Sequence, residues 1–249
     1  MKIPLKPALL PWITLLLGCI GAGLRAWQLL TGIDDGGLLI TGHPAMTWML
    51  ILTGVTLVAL LLATGSLTRA PKHSFNFPAS TSAAICTAVA GMGIGVTSIT
   101  ELALTSDRYM ILTSVLGLVC VPAMLLLAQC RRSGKQPHFL LHALLSIYLM
   151  LRLICQYRLW SPDPQLADYC WQLLALVCLM LAVYQRAVFD IDEGKRRSYI
   201  IFHLAAVYFC CLALPGSEHP FFFLASSLWM MTDLCSLRPM PPARKGRFG

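Results

Sequence analysis

The chain has 249 residues, of which 57% are hydrophobic and only 12% charged, and its mean hydropathy is +0.70. Because about a quarter of the residues in soluble domains are charged, this composition excludes an ordinary soluble fold and predicts one membrane domain. The formal net charge of +8 comes from short basic clusters between apolar runs, which favours contact with anionic lipid headgroups over binding of nucleic acid.

Eight segments are long and apolar enough to be membrane helices, since crossing the hydrocarbon core takes about 20 apolar residues. In chain order they cover residues 8–28, 45–67, 80–104, 109–129, 139–157, 169–189, 199–214 and 220–237. The seventh is short and ends at a Pro-Gly pair, a strong helix breaker, so the last two could instead form a re-entrant hairpin. The pattern predicts an all-α, polytopic membrane protein with eight transmembrane helices in a single domain, residues 1–237.

The first segment resembles a signal peptide, because Lys2 and Lys6 precede an apolar run, and its end resembles a bacterial lipobox at Cys19. Two features argue against cleavage. The residue before Gly18 is Leu17 rather than a small residue, and the apolar stretch continues beyond the cysteine. We therefore predict that the first helix is retained.

Lysine and arginine alternate strongly between the loops, which predicts the orientation of the helices by the positive-inside rule. Three cationic residues fall in one set of loops: Arg25, Arg108 and Arg158. Fourteen fall in the other set: Lys2, Lys6, Arg69, Lys72, Arg131, Arg132, Lys135, Lys195, Arg196, Arg197, Arg238, Arg244, Lys245 and Arg247. Both termini are therefore predicted to be cytoplasmic, in a cell-membrane protein, with a basic tail at 238–249 that is predicted to be disordered.

No metal or cofactor site is predicted. The ten cysteines form no CxxC pair, and the adjacent carboxylates of the loop 31–44 lack the spacing of a calcium-binding loop. His142 and His203 could face each other as haem ligands, but hydrogen bonding between helices explains such histidines more simply. Snorkelling or capping accounts for Arg186 and Asp233 near the predicted cytoplasmic surface. Nucleotide-binding, metalloprotease and serine-nucleophile motifs are absent from the sequence.

The third segment carries a stripe of small residues that leads to a carboxylate. The stripe consists of Ala84, Ala88, Gly91, Gly95 and Ser98. Small residues at helical spacing let another helix approach closely, so Glu101, three residues further on, is predicted to point into the bundle. The first segment presents Arg25 in a similar position, which makes an Arg25–Glu101 ion pair geometrically plausible. A structural ion pair and a substrate site are the two interpretations.

The fifth segment carries a polar stripe within an arc of about 120°. Its members are His138, His142, Ser146, Arg152 and Gln156. Such a face lines either a water-filled cavity or polar partners on neighbouring helices. Arg152 then needs a counter-charge, for which Glu101, Asp163 and Asp168 are at the right level, or else its side chain snorkels to the outer interface.

These residues suggest two classes of function. The first is a small transporter or permease component for a small polar or charged solute, with an outward-facing cavity between the first, third and fifth segments. Its candidate substrate-binding residues are Arg25, Glu101, Arg152, Gln156 and Asp168. The second is a non-transporting subunit, sensor or scaffold that binds a partner membrane protein or a second copy of itself. An intramembrane enzyme acting on lipid is a third alternative, although no catalytic residues can be assigned.

Overall fold

The computed structural model describes residues 9–32, 43–65, 72–162 and 166–238. For residues 166–168 it describes the backbone only. The centre of the predicted loop 31–44, Asp163, the Asp168 side chain and the tail beyond residue 238 lie outside this description. The described residues form nine helices: α1 (Leu10–Thr31), α2 (Pro44–Ala63), α3 (His73–Asn76), α4 (Thr81–Leu104), α5 (Arg108–Ser133), α6 (Phe139–Trp160), α7 (Leu166–Asp190), α8 (Arg196–Ala213) and α9 (Pro220–Cys235).

Six of the described helices, α1, α2 and α4–α7, are long and apolar enough to cross a membrane. The chain is thus a helical, multi-pass membrane protein, as its composition predicts. By length and composition alone, the described residues do not provide the eight membrane helices that the sequence predicts. Helix α8 has 18 residues and begins with two arginines, and the apolar helix α9 has 16, which is about 24 Å at 1.5 Å per residue.

Helix α8 lies at the centre of the bundle. Fourteen of its residues are buried, and it packs against α1, α7 and α9. A helix that is apolar on all sides is stable only when it is surrounded in this way. Helix α2 is peripheral and packs mainly on α1. Its outer face exposes Val55, Leu61 and Leu62, as expected for residues in contact with lipid.

The small-residue stripe of α4 brings a neighbouring helix close, as its pattern predicts. A methyl group at Gly91 would lie 2.8 Å from Cβ of Met124 on α5. Asp107 caps the start of α5, where its carboxylate accepts a hydrogen bond from the Tyr109 amide, and Gly134 follows the end of the helix with a φ of 67°. Glycine adopts that backbone conformation more readily than other residues, so the α5–α6 turn is favoured locally by the sequence.

Both α8 and α9 run from one end of the bundle to the other. At the start of α8, Arg196 Nη1 donates to Asn76 Oδ1 at 2.7 Å, and beyond its end the Gly216 carbonyl accepts from Gln172 near the start of α7. Helix α9 begins beside Glu101 and ends beside Arg131. This path differs from that of a re-entrant hairpin, which would turn back before it reached the opposite end.

The bundle has two chemically distinct ends, which we call the basic end and the Glu101 end. The basic end contains the starts of α4, α6 and α8 and the ends of α5, α7 and α9, joined by contacts such as Ser80 N to the Arg131 carbonyl and Gln136 Nε2 to the Asp190 carbonyl. The described cationic loops that the sequence assigns to one side of the membrane therefore lie together.

Candidate functional site

The Glu101 end is organised around a buried ion pair between α4 and α6. Arg152 donates from Nη2 to Glu101 Oε1 at 2.6 Å and from Nη1 to Oε2 at 3.1 Å. The two side chains are 1% and 4% exposed, which confirms that both face the bundle interior rather than lipid. Such bidentate geometry is the strongest form of a charge-assisted hydrogen bond.

Four further groups complete the surroundings of this pair. Ser114 on α5 donates to Glu101 Oε2 at 2.9 Å, and His219, just before α9, places Nε2 3.1 Å from Oε1. Arg152 also donates to the Tyr148 hydroxyl at 3.2 Å, while the ring of Phe222 lies 5.1 Å from its guanidinium carbon. The carboxylate of Glu101 is therefore fully engaged by protein groups.

Not every predicted member of this site joins the pair. Arg25 donates to Gln28 Oε1 at 2.8 Å, one turn further along α1, and no described contact links it to Glu101. The Arg25–Glu101 pair considered from the sequence is therefore wrong, because α1 packs on α2 and α8 whereas α4 packs on α5 and α9. The outward-facing cavity between α1, α4 and α6 stays a prediction. The α7 backbone includes position 168, but the Asp168 side chain is not described.

Five buried polar atoms at or below the Glu101 end make no hydrogen bond to the described protein. They are Ser98 Oγ, Ser146 Oγ, Arg152 Nε, Gln156 Oε1 and Trp171 Nε1. Three of the five belong to α6. Buried polar atoms are normally paired with protein or water, so most of the unused hydrogen-bonding capacity described at the Glu101 end lies on this face of α6.

The basic end contains a second buried polar group, the basic-end cluster, which sequence reasoning missed as a unit. It consists of His73, Arg131, His142, Arg186, Asp190 and Asp233. His142 Nδ1 lies 2.5 Å from Asp190 Oδ2, and Arg131 Nε donates to Asp233 Oδ1 at 3.1 Å. Arg131 also donates to the Ser236 hydroxyl and to the Pro78 carbonyl.

Three members of this cluster keep unused hydrogen-bonding atoms, one of which is Asp190 Oδ1, 3.8 Å from His73 Nε2. Arg186 Nη2 lies 3.3 Å from His73 Nε2, but Arg186 Nη1 and His73 Nδ1 are buried without a partner. Burial, followed by the nearby charge of Arg186, lowers the pKa of His73 from 6.5 to about 4, so this imidazole is neutral at physiological pH. The explanation of Arg186 by snorkelling is wrong, since its side chain is 4% exposed.

A cavity of about 20 Å³ lies within the basic-end cluster. His73, Arg131, His142, Arg186 and Asp233 line it, together with apolar walls that include Phe77 and Trp229. The Phe77 ring lies 3.4 Å from the Arg186 guanidinium carbon. The cavity thus combines cationic donors with a low-dielectric wall.

The histidines considered as haem ligands have other partners. His142 uses Nδ1 towards Asp190, and His203 Nδ1 lies 2.9 Å from the Tyr199 carbonyl oxygen within α8. The ring of His203 also packs on that of Tyr199, with centroids 3.7 Å apart. Both imidazoles are therefore held by protein groups through one ring nitrogen.

Comparisons with known proteins identify no relative: no protein-family model, curated protein or solved structure matches this chain. Its function must be inferred from its own residues.

Proposed function

We propose that this protein is a small transporter for a polar or charged solute, with eight membrane-crossing helices and both termini in the cytoplasm. The observation that carries the proposal is the polar face of α6. It runs from His142 at the basic end to Gln156 at the Glu101 end, 14 residues or about 21 Å of helix. That is more than half of a hydrocarbon core about 30 Å thick.

Unpartnered groups along this face support a route rather than a fixed structural network. Ser146 Oγ lies between the two clusters, and Arg152 Nε and Gln156 Oε1 continue the series on the same helix. Polar groups within a membrane are costly, so those that are present usually pair with one another or mark a path for a solute or ion. A solute or water that passes along α6 would supply the hydrogen bonds that the protein leaves unmade.

The second candidate function is that of a non-transporting subunit or scaffold. It is favoured by the Glu101 carboxylate, whose oxygens are already taken by Arg152, Ser114 and His219. A pair engaged in this way holds α4, α6 and the start of α9 together and has no oxygen left for a solute. The partner under this alternative is a membrane protein or a second copy of the chain.

Flux into proteoliposomes that contain the purified protein tests the transport proposal. Small anions, small organic acids and monovalent cations are supplied separately, and the transport proposal expects uptake of one class. Ser146→Ala removes a hydroxyl without a protein partner, so the variant folds normally, but the solute loses one hydrogen bond. A loss of about 0.5–1.5 kcal/mol lowers the rate by roughly two- to thirteenfold.

The matched control is Thr56→Val, which removes another buried hydroxyl without a partner. Thr56 lies on α2, a helix that does not pack on α6. Its variant should transport at the rate of the unmodified protein. Absence of uptake for all three classes of solute, or equal rates for Ser146→Ala and the unmodified protein, would contradict the α6 route.

A further inference from the structure

Arg186 is a buried cation without a carboxylate partner in the described part of the chain. It lies on α7, is 4% exposed, and its hydrogen-bond contact is with the neutral His73 ring. The face of Phe77 offers some compensation, worth about 2 kcal/mol for a desolvated cation on an aromatic ring. That is less than the several kcal/mol that removing an ion from water costs.

The proton of His73 can be placed from its neighbour. Arginine can only donate hydrogen bonds, so the lone pair of His73 must lie on Nε2, which faces Arg186 Nη2 at 3.3 Å. The ring proton is then on Nδ1, a second buried donor without a partner. Two unused donors, one of them charged, therefore belong to adjacent side chains that line the same cavity.

Arg186 makes no described hydrogen bond to either nearby carboxylate. Asp233 accepts from Arg131 at 3.1 Å, and Asp190 Oδ2 is engaged by His142 at 2.5 Å. Asp190 Oδ1 has no hydrogen-bond partner and lies 3.8 Å from His73 Nε2, but Asp190 does not line the cavity. The charged side chains that do line it are three cations, Arg131, Arg186 and the exposed Lys135, and one carboxylate, Asp233. The lining is therefore positive, and the two unused donors face a cavity that lacks an acceptor with a negative charge.

The cavity limits the size of that ligand. A volume of about 20 Å³ is slightly more than the 10–15 Å³ that a single water requires, which suits a monatomic ion better than phosphate or an organic acid. A water molecule would satisfy a donor but leave the charge of Arg186 uncompensated. We infer that the cavity binds one halide-sized anion, held by Arg186 Nη1 and His73 Nδ1.

Binding at this site stands independently of transport, but its role as the cytoplasmic stage of a route along α6 rests on the proposed function. Under that function the transported solute is a small monovalent anion. Failures of the two claims are distinguishable. Halide binding without flux refutes transport alone, while flux of another solute without halide binding refutes the anion site alone.

Trp229 provides a direct probe, because it lines the cavity and is buried. The protein is purified in detergent with gluconate as the only anion, and bromide, whose heavy atom quenches indole fluorescence, is titrated in. We expect saturable quenching that Trp229→Phe abolishes, and an increase in the unfolding midpoint over the same bromide range. Phosphate at equal concentration should compete poorly.

Arg186→Gln should weaken bromide binding by about tenfold or more, since a hydrogen bond to a charged group is worth roughly 1.5–3 kcal/mol. Arg132→Gln at the same end is the control, because Arg132 is exposed and its loss should leave the titration unchanged. If Arg186→Gln does not fold, His73→Phe removes the second donor and should also weaken bromide binding.

Three outcomes would overturn the inference. Quenching that rises linearly without saturation indicates collision alone. Equal affinity in the variants and in the unmodified protein places the bromide elsewhere. Competition by phosphate at equal strength shows that the cavity does not select by size.

Discussion

Arg152 and Glu101 place two opposite charges inside the bundle, and the free energy of that arrangement depends on both being present. Desolvation of each ion is costly, and their attraction in a low dielectric offsets it only while the geometry is kept. The bidentate contact and the added bond from Ser114 meet that condition. Removal of one partner leaves an unpaired buried charge, whereas removal of both leaves an apolar contact.

A double-mutant cycle tests this account. Glu101→Leu and Arg152→Met, each alone, should lower the free energy of unfolding by about 3–5 kcal/mol, and the double variant should recover most of that loss. The thermal unfolding midpoint in detergent is the measurement, with Glu193→Gln, an exposed carboxylate, as the control. If Glu101→Leu unfolds at the same temperature as Glu193→Gln, the pair does not stabilise the fold.

The sequence predicts which face of a helix is buried, but not which helix lies against that face. Helical spacing from Gly91 and Gly95 correctly placed Glu101 inside, and the polar arc did the same for Arg152. The partner of Arg25 depended instead on the arrangement of neighbouring helices, because α1 meets α8 rather than α4. Periodicity within one segment carries no information about that arrangement.

For α8 and α9, the amino-acid composition of the helix does not indicate the position that the helix takes in the bundle. Helix α8 is buried along almost its whole length, so it can begin with Arg196 and carry His203 without exposing either to lipid. Both helices traverse the bundle. Neither, however, is both long enough and apolar enough to be identified as a membrane-crossing helix from its length and composition alone. A helix surrounded by protein needs less apolar surface than one that faces hydrocarbon.

Reporter fusions test the arrangement of these helices in the membrane. Fusions after Gln129 and at the C-terminus should be active in the cytoplasm, and fusions after Leu30 and Tyr157 should report the outside, because the cationic loops favour the cytoplasmic face. A fusion after Glu218, between α8 and α9, distinguishes eight membrane-crossing helices from six. It reports the outside if α8 crosses the membrane and the cytoplasm if it does not. An extracytoplasmic C-terminus would refute the predicted orientation.

The basic-end cluster could not be found element by element. Its residues come from α3, α5, α6, α7 and α9, and each is unremarkable in its own segment. Arg131 lies in a basic helix end, Asp233 near the end of an apolar helix and His73 in a short connecting helix. The signal that could have revealed the cluster was topological. Because successive crossing helices alternate in direction, they bring these helix ends to the same side of the membrane. The cluster could be recognised only after the helix ends had been grouped in this way.

At the scale of the whole molecule, polarity is concentrated at both ends of the bundle, and apolar side chains cover its outside. Exposed Leu16, Val55, Leu112 and Ile147 belong to four different helices. Lipid is sufficient to cover such dispersed residues. The unmet hydrogen-bonding capacity lies inside, on several helices that include α6 and α7. Under the transport proposal this capacity serves a solute in a self-contained carrier, whereas under the alternative the chain is a subunit built around an interface.

Purification from native membranes in a mild detergent distinguishes these two descriptions. We expect the chain to be isolated without a stoichiometric partner protein and to be stabilised against heating by its solute. Ligand at 100 times its dissociation constant adds about 2.7 kcal/mol to the free energy of unfolding, which is readily detected as a higher midpoint. Gln156→Leu removes an amide whose Oε1 is buried without a hydrogen-bond partner, so it should preserve folding but reduce that stabilisation, while Thr56→Val should retain it. A partner that remains at fixed stoichiometry through purification, together with no stabilisation by any class of solute, would instead establish the chain as a subunit.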